Sequence, residues 1–373
     1  MRRAAALAVL VACGAARADG PSPLWDDVAH PDRPRCAALT AEARRHLQAQ
    51  ANEAAIALLR DVVRRCPDRF EGFALLGVTL AEGGQIADAR WALERARLLA
   101  PDDDRDALVA FHLGFVRSVG GELAGSVAEL RRADALGGLN APMRALLHYD
   151  LGDDLMALGR LGEAIDEYRR ATRINPSEVM PRLALAVALD RDEQTGESQN
   201  ELRAVLRVDP FLRKLYSGKY VFVPYADAHY YVALVEQVRG HFAAARAELR
   251  AFLAALPDGP YAARAREHLE RVAGVDVREL NYGTGVDAAH AAAALAPLVP
   301  ELEQCLPPVA APVESTPVIA APEITWVHVT REGDRYVVGS AFSGCLSQVL
   351  NRARLAPPGL GPSLTFPLAM PSP

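Results

Sequence analysis

Lysine is nearly absent: Lys214 and Lys219 are the only two in 373 residues, and arginine carries the remaining fixed positive charge. Together with the heavy use of alanine, this bias reads as the codon usage of a GC-rich genome and not as a nucleic-acid signal. Acidic residues outnumber basic ones, 47 to 41. A chain of that balance is steered away from phosphate backbones, which excludes nucleic-acid binding. No pair of histidines has the His-x-x-x-His spacing that puts two ligands on one helix face. No Cys-x-x-Cys occurs either, so the sequence offers no metal site. Gly-x-Ser-x-Gly and the Gly-x-x-x-x-Gly-Lys-Ser/Thr phosphate loop are both missing, and no cofactor is expected. Asp102-Asp103-Asp104 is an acidic cluster, but beside Pro101 it reads as an exposed turn. His328 reads as a strand-face residue rather than a base. Catalysis is therefore not expected.

The N-terminus resembles a secretory signal over residues 1–18. Arg2 and Arg3 are basic, 4–12 is apolar, and Ala16-Arg17-Ala18 places small residues where a signal peptidase reads. Cleavage there gives a mature start at Asp19 and a short N-terminal segment, 19–35. Losing Arg2, Arg3 and Arg17 leaves 38 basic against 47 acidic residues, so the net charge moves from −6 to −9. The apolar core is shorter than the about 20 residues that span a bilayer, and no later run is long enough. Leu10-Val11-Ala12-Cys13 also resembles a lipobox, which would make Cys13 a lipidated N-terminus and give the chain a lipid anchor. Beyond residue 18 the cysteines are Cys36, Cys66, Cys305 and Cys345, an even set that suggests disulfides in an exported protein.

Prolines recur at a fixed distance. Pro67 and Pro101 are separated by 34 residues, and so are Pro142, Pro176 and Pro210. The segment from Phe70 carries Phe73, Leu76, Gly77 and Leu80, then Ala89, Leu93, Ala96 and Leu99 before Pro101. The segment from Ala145 repeats the order with Leu151, Gly152 and Leu155, then Ala164, Tyr168, Ala171 and Ile174 before Pro176. These segments resemble the tetratricopeptide repeat, a pair of antiparallel helices of 34 residues. Four more intervals fit in register: 36–69, 107–139, 179–212 and 226–259. The expected fold is mostly α, a right-handed α-solenoid of about six helix pairs over 36–273, closed by a capping helix. That helix, 261–273, carries Ala262, Ala265, Leu269 and Val272 on one stripe, with charge on the outer face. A single helix pair cannot bury enough apolar surface to offset its ordering entropy, so the pairs must stack. In the first repeat Cys36 opens one helix and Cys66 ends the next. Antiparallel packing brings those ends together, and a bridge there is worth about 3–4 kcal/mol.

Residues 211–225 interrupt the register, and five of the ten tyrosines fall between Tyr216 and Tyr231. Tyrosine is favoured at binding surfaces, so Tyr216, Tyr220, Tyr225 and Tyr231 form a secondary candidate surface. Packing of the insertion against the array explains the cluster equally well. A linker, 274–287, leads to a small α+β module over 288–373. Its first part is helical, shortened at Pro297 and Pro300. Alternation from Ile324 turns at 332–334 into Tyr336-Val337-Val338, a hairpin; 342–355 follows as a helix and 364–368 as a strand. This order resembles the TonB-like C-terminal domain of myxobacterial gliding-motility proteins. In that family a cysteine before the first strand accompanies one on the helix, which matches Cys305 and Cys345 and implies their pairing. The resemblance implies a small envelope domain that binds partners without catalysis.

The tetratricopeptide resemblance implies a groove lined by set positions of each first helix. Here those are Leu108, Phe111 and Phe115, then Leu146, Tyr149, Asp153 and Met156. Met180, Leu183, Val187 and Asp190 follow, and Asp227, Tyr230 and Leu234 end the series. The lining lacks the Lys, Arg and Asn set that clamps a C-terminal carboxylate in some relatives. It is apolar and aromatic with scattered carboxylates, so the expected partner is a protein segment that is apolar with basic flanks. The leading expectation is a periplasmic or outer-membrane-associated scaffold. Its alternatives are a lipidated assembly factor for outer-membrane components and an enzyme-associated module active within 288–373.

Overall fold

The computed structural model describes residues 2–3, 31–217, 220–221, 226–272, 288–306, 324–339, 343–353 and 363–369. Cys13, nearly all of the leader and the linker 274–287 lie outside the described residues. Six consecutive helix pairs run as expected. They are α1 (Arg33–Gln48) with α2 (Asn52–Arg65), α3 (Phe70–Glu82) with α4 (Ile86–Leu98), and α5 (Asp103–Val119) with α6 (Leu123–Leu136). Then come α7 (Ala141–Ala157) with α8 (Leu161–Ile174), α9 (Val179–Arg191) with α10 (Thr195–Val208), and α11 (Asp227–Arg239) with α12 (Phe242–Ala255). The capping helix is α13 (Ala262–Arg271). The chain divides into two compact units, 1–188 and 189–373.

Within the first unit, one residue relationship fixes how three of the four pairs cross: α3 with α4, α5 with α6, and α7 with α8. A Cβ on Gly77 would lie 2.6 Å from Leu93 Cγ, one on Gly114 2.7 Å from Leu130 Cγ, and one on Gly152 2.5 Å from Tyr168 Cε1. Each partner stands sixteen positions after its glycine. Only glycine lets the second helix lay a large side chain directly on the first backbone. The turn inside each pair is equally constrained. Gln50, Gly84, Gly121, Gly159, Glu193 and Gly240 all have φ between 59° and 81°. In every case the next residue returns its N–H to the carbonyl five back, as Gln85 does to Leu80 and Arg160 to Leu155, both at 2.9 Å. This C-terminal cap satisfies carbonyls that the helix leaves open. Asp102 and Asn140 cap α5 and α7 by accepting from the N–H of Arg105 (2.9 Å) and Met143 (3.0 Å). The Asp102 cluster thus begins a helix.

Cys36 and Cys66 form a disulfide, Cα atoms 6.6 Å apart, tying the start of α1 to the end of α2. His112 on α5 is buried against Phe111, and burial pushes its pKa down to about 4, which keeps the imidazole neutral.

In the second unit the insertion begins as an anchored turn. Asp209 accepts from the N–H groups of Arg213 and Lys214, each at 3.0 Å, and Leu212 and Leu215 are buried. On α13 the buried stripe is Ala262, Ala265, His268 and Val272; His268 takes a core place and Leu269 is only half-buried. The C-terminal module contains α14 (Ala288–Leu295), α15 (Val299–Gln304), β1 (Ile324–Glu332), β2 (Arg335–Val338), α16 (Ser343–Arg352) and β3 (Ser363–Ala369). Its antiparallel sheet has the order β2-β1-β3, with Val329 opposite Val338 and Val327 opposite Phe366. Those inward residues pack on Leu295, Leu302, Leu346 and Leu350. Cys305 and Cys345 join the end of α15 to α16, Cα atoms 5.6 Å apart.

This module is not free of the array. Arg246 on α12 is 3% exposed; it donates to the Val272 carbonyl at 2.7 Å and to Glu303 of α15 at 3.4 Å. Arg250 also donates to Glu303. An ion pair this buried resists separation, because freeing one partner leaves a charge without a counterion.

The crossing glycines generate a test within one helix pair. Gly152→Val forces Tyr168 off α7 and should lower stability by about 1–3 kcal/mol. Gly162→Ala, where nothing lies within 4 Å of the added methyl, should be neutral or stabilising by up to about 1 kcal/mol. Urea unfolding of both variants reads the difference. Equal midpoints would remove the close crossing as a determinant.

Candidate functional site

Most of the side chains expected to line a groove are buried. Phe111, Tyr149, Met180, Leu183, Val187 and Tyr230 have at most 2% of their surface exposed. Leu108, Met156 and Leu234 are buried as well, and only Phe115 and Leu146 are half-buried. These aromatics fill the space between helices: Tyr149 lies 6.1 Å from the Tyr168 ring and Tyr230 meets Phe252 edge-on at 5.2 Å. The expected set therefore supplies core contacts and little open surface. Among the tyrosines of the insertion region, Tyr231 is buried in α11, and Tyr216 is half-buried with its pKa raised by burial. Tyr220 belongs to a two-residue strand, Tyr220–Val221. Its side chain and Tyr225 lie outside the described residues.

The expected acidic rim is also turned inward. Asp153 accepts from the Tyr168 hydroxyl at 2.6 Å. Asp227 receives Arg191 through two bonds of 3.0 and 3.3 Å. Arg191 is buried and stacks on the Tyr261 ring at 3.9 Å; burial alone would lower its pKa, and Asp227 together with Tyr231 and Tyr230 raises it. Asp190 is the centre of the second unit. Its Oδ2 accepts from the Tyr230 hydroxyl at 2.6 Å and faces His268 Nε2 at 2.8 Å. Its Oδ1 accepts from Arg264 Nη2 at 3.0 Å. Burial alone would raise its pKa; the bonds from His268, Tyr230 and Arg264 hold it below the ordinary 3.8. The bonds of Asp190 and Asp227 are thus made to arginines and a histidine of the chain itself.

Around this centre the second unit opens a cleft of about 270 Å³. The insertion lengthens the connection from α10 to α11, and the two helices pack less closely than successive pairs in the first unit. From α10 come Thr195, Ser198, Leu202 and Arg203; α11 and α12 supply Leu234, Gln237, Val238 and Phe242. His268, Arg271 and Val272 close the end, over Asp190. His268 Nδ1 lies 2.9 Å from Gln237 Oε1, and Gln237 Nε2 is buried without a hydrogen-bond partner. Both ring nitrogens of His268 are thus occupied, by Asp190 and Gln237.

Sequence reasoning missed most of this lining, since it lies on second helices and the capping helix. The break in register at 211–225 was the available signal, because an inserted connection separates two helices that would otherwise close on each other.

A family profile described as "Tetratricopeptide repeat" matches residues 145–178. That segment, α7 and α8, is a tetratricopeptide repeat. No curated protein matches the chain. Among solved structures, one titled "Crystal structure of MamA" is 22% identical with a TM-score of 0.41, covering 46% of this chain and 96% of its own. "MamA 41-end from Desulfovibrio magneticus RS-1" is 18% identical with a TM-score of 0.43, covering 48% and 96%. "Crystal structure of YrrB: a TPR protein with an unusual peptide-binding site" is 19% identical with a TM-score of 0.38, covering 56% and 97%. At these scores the likenesses add nothing to the geometry. The matches indicate no enzyme family.

The buried carboxylate sets a pH dependence. Because the folded pKa of Asp190 lies below its unfolded value, its contribution is present above pH 3.8 and fades as pH falls through the folded pKa. Asp190→Asn should cost about 3–5 kcal/mol at pH 7, the usual result of orphaning a buried ion-pair partner. Thermal unfolding at pH 7, 4 and 2.5 should show the gap to wild type shrinking at the lowest pH. A gap that is constant with pH would mean that the carboxylate charge is not what stabilises the cluster.

Proposed function

We propose that the chain is an exported, non-catalytic scaffold of the bacterial cell envelope, which holds a segment of a partner protein in the cleft of its second unit. The cleft between α10, α11, α12 and α13 carries this reading: it brings a small apolar patch beside the exposed Arg203 and Arg271. Its volume is below the about 300–1,000 Å³ typical of drug-sized ligands and suits one or two side chains of a peptide. Export is supported by the secretory-type leader and by four cysteines paired locally as Cys36–Cys66 and Cys305–Cys345, bonds that persist in oxidising compartments. The strand–hairpin–helix–strand order of 324–369 is in keeping with a TonB-like module, read here as a second docking element. Whether the N-terminus is cut after Ala18 or lipidated at Cys13, the proposed compartment is the same.

Site-directed photo-cross-linking in growing cells tests this reading. A photoreactive residue at Gln199 or at Glu267 beside Arg271, both exposed, should give one protein adduct in the periplasmic or outer-membrane fraction. The same residue at exposed Arg131 of α6 should not. A chain found in the cytosol with reduced cysteines, or adducts equal at all three positions, would overturn the proposal.

A further inference from the structure

We infer that the cleft of the second unit selects an acidic peptide, one that places a large apolar side chain beside an Asp or Glu. The inference rests on the reading of the cleft as the partner site and adds the chemistry it accepts. Three charged groups line the cleft, Asp190, Arg203 and Arg271, and the single negative one is already closed off. Asp190 is 1% exposed and held by Tyr230, His268 and Arg264. The two arginines are differently placed. Arg203 is exposed and donates to neutral amide oxygens, Asn200 Oδ1 at 3.2 Å and Gln199 Oε1 at 3.1 Å. Arg271 is exposed and meets Glu267 at 3.4 Å, in a pair with 43% and 55% of the side chains in solvent. Exposed pairs of this kind are worth little and exchange readily for a better carboxylate. A guanidinium takes a carboxylate through two parallel N–H donors, a geometry no neutral amide offers it.

The rest of the lining sets the neighbouring group. Val238 and Phe242 are half-buried and, with the buried Leu202, Leu234 and Val272, give the cleft a small apolar patch. Seating an apolar side chain there removes both surfaces from water and adds to what the arginines supply. A peptide with basic flanks would set like charge against Arg203 and Arg271, which disfavours it.

Selection from a displayed library of random octapeptides on the immobilised full chain provides the test. Enriched peptides should carry Asp or Glu within two positions of Leu, Ile, Met or Phe. Synthetic versions of the winners should lose about tenfold or more in affinity on Arg203→Gln with Arg271→Gln, or on Glu→Gln in the peptide, and should weaken with salt. Both arginines are exposed, so the double variant keeps the fold, which circular dichroism verifies. Enriched peptides that are neutral or basic would overturn the acidic preference and leave a peptide-binding cleft standing. Acidic winners whose affinity ignores the double variant would move their site off the cleft. Failure to enrich any peptide over the uncoated surface would overturn both the inference and the reading beneath it.

Discussion

One buried carboxylate organises the end of the array. Asp190, 1% exposed, gathers a hydroxyl from α11 and an imidazole and a guanidinium from α13. Arg264 extends the set to Thr195 at the start of α10, at 2.9 Å. Left alone, a carboxylate at that depth would be worth several kcal/mol against folding. It is tolerated because its three donors arrive together, and they arrive only if α10, α11 and α13 hold their places. The capping helix is thereby fixed by charge as well as by the Ala262 and Ala265 stripe. The same arrangement shapes the cleft, since Asp190 and His268 are its floor and the helices they fix are its walls.

A second consequence concerns which charges are available to a partner. Acidic residues predominate in the chain as a whole, yet Asp153, Asp190 and Asp227 are each turned inward onto Tyr168, His268 with Arg264, or Arg191. Net charge describes the average surface and says little about a particular cleft. At this one the local balance is reversed, because the carboxylate is buried and the arginines are not.

Much of the fold was legible because helix pairs obey local rules. Gly77, Gly114 and Gly152 announce close crossings, and the positive-φ turns at Gly84, Gly121, Gly159 and Gly240 announce where each pair folds back. Glu193 and Gln50 take the same backbone conformation without glycine, and there the register of the neighbours was the only guide. The hairpin, helix and last strand of 324–369 could be read from alternation and turn residues. What the residues did not reveal was depth. Position within a repeat says which side chains face inward; how far the next pair covers them depends on packing between repeats, and Tyr149 and Tyr230 were covered entirely. Nor could sequence show that Arg246 and Glu303, across the linker, form one buried pair. Such a contact joins distant residues and leaves no periodic trace.

Native-state hydrogen exchange on Asp190→Ala tests the central claim, that this carboxylate fixes the capping helix, most directly. Residue-resolved protection should fall in 262–272 and beside it in 195–203, while amides of α5 to α8 in the first unit keep their wild-type rates. If protection in 262–272 were unchanged, or fell equally throughout the chain, the carboxylate would not be the element that holds the end of the array.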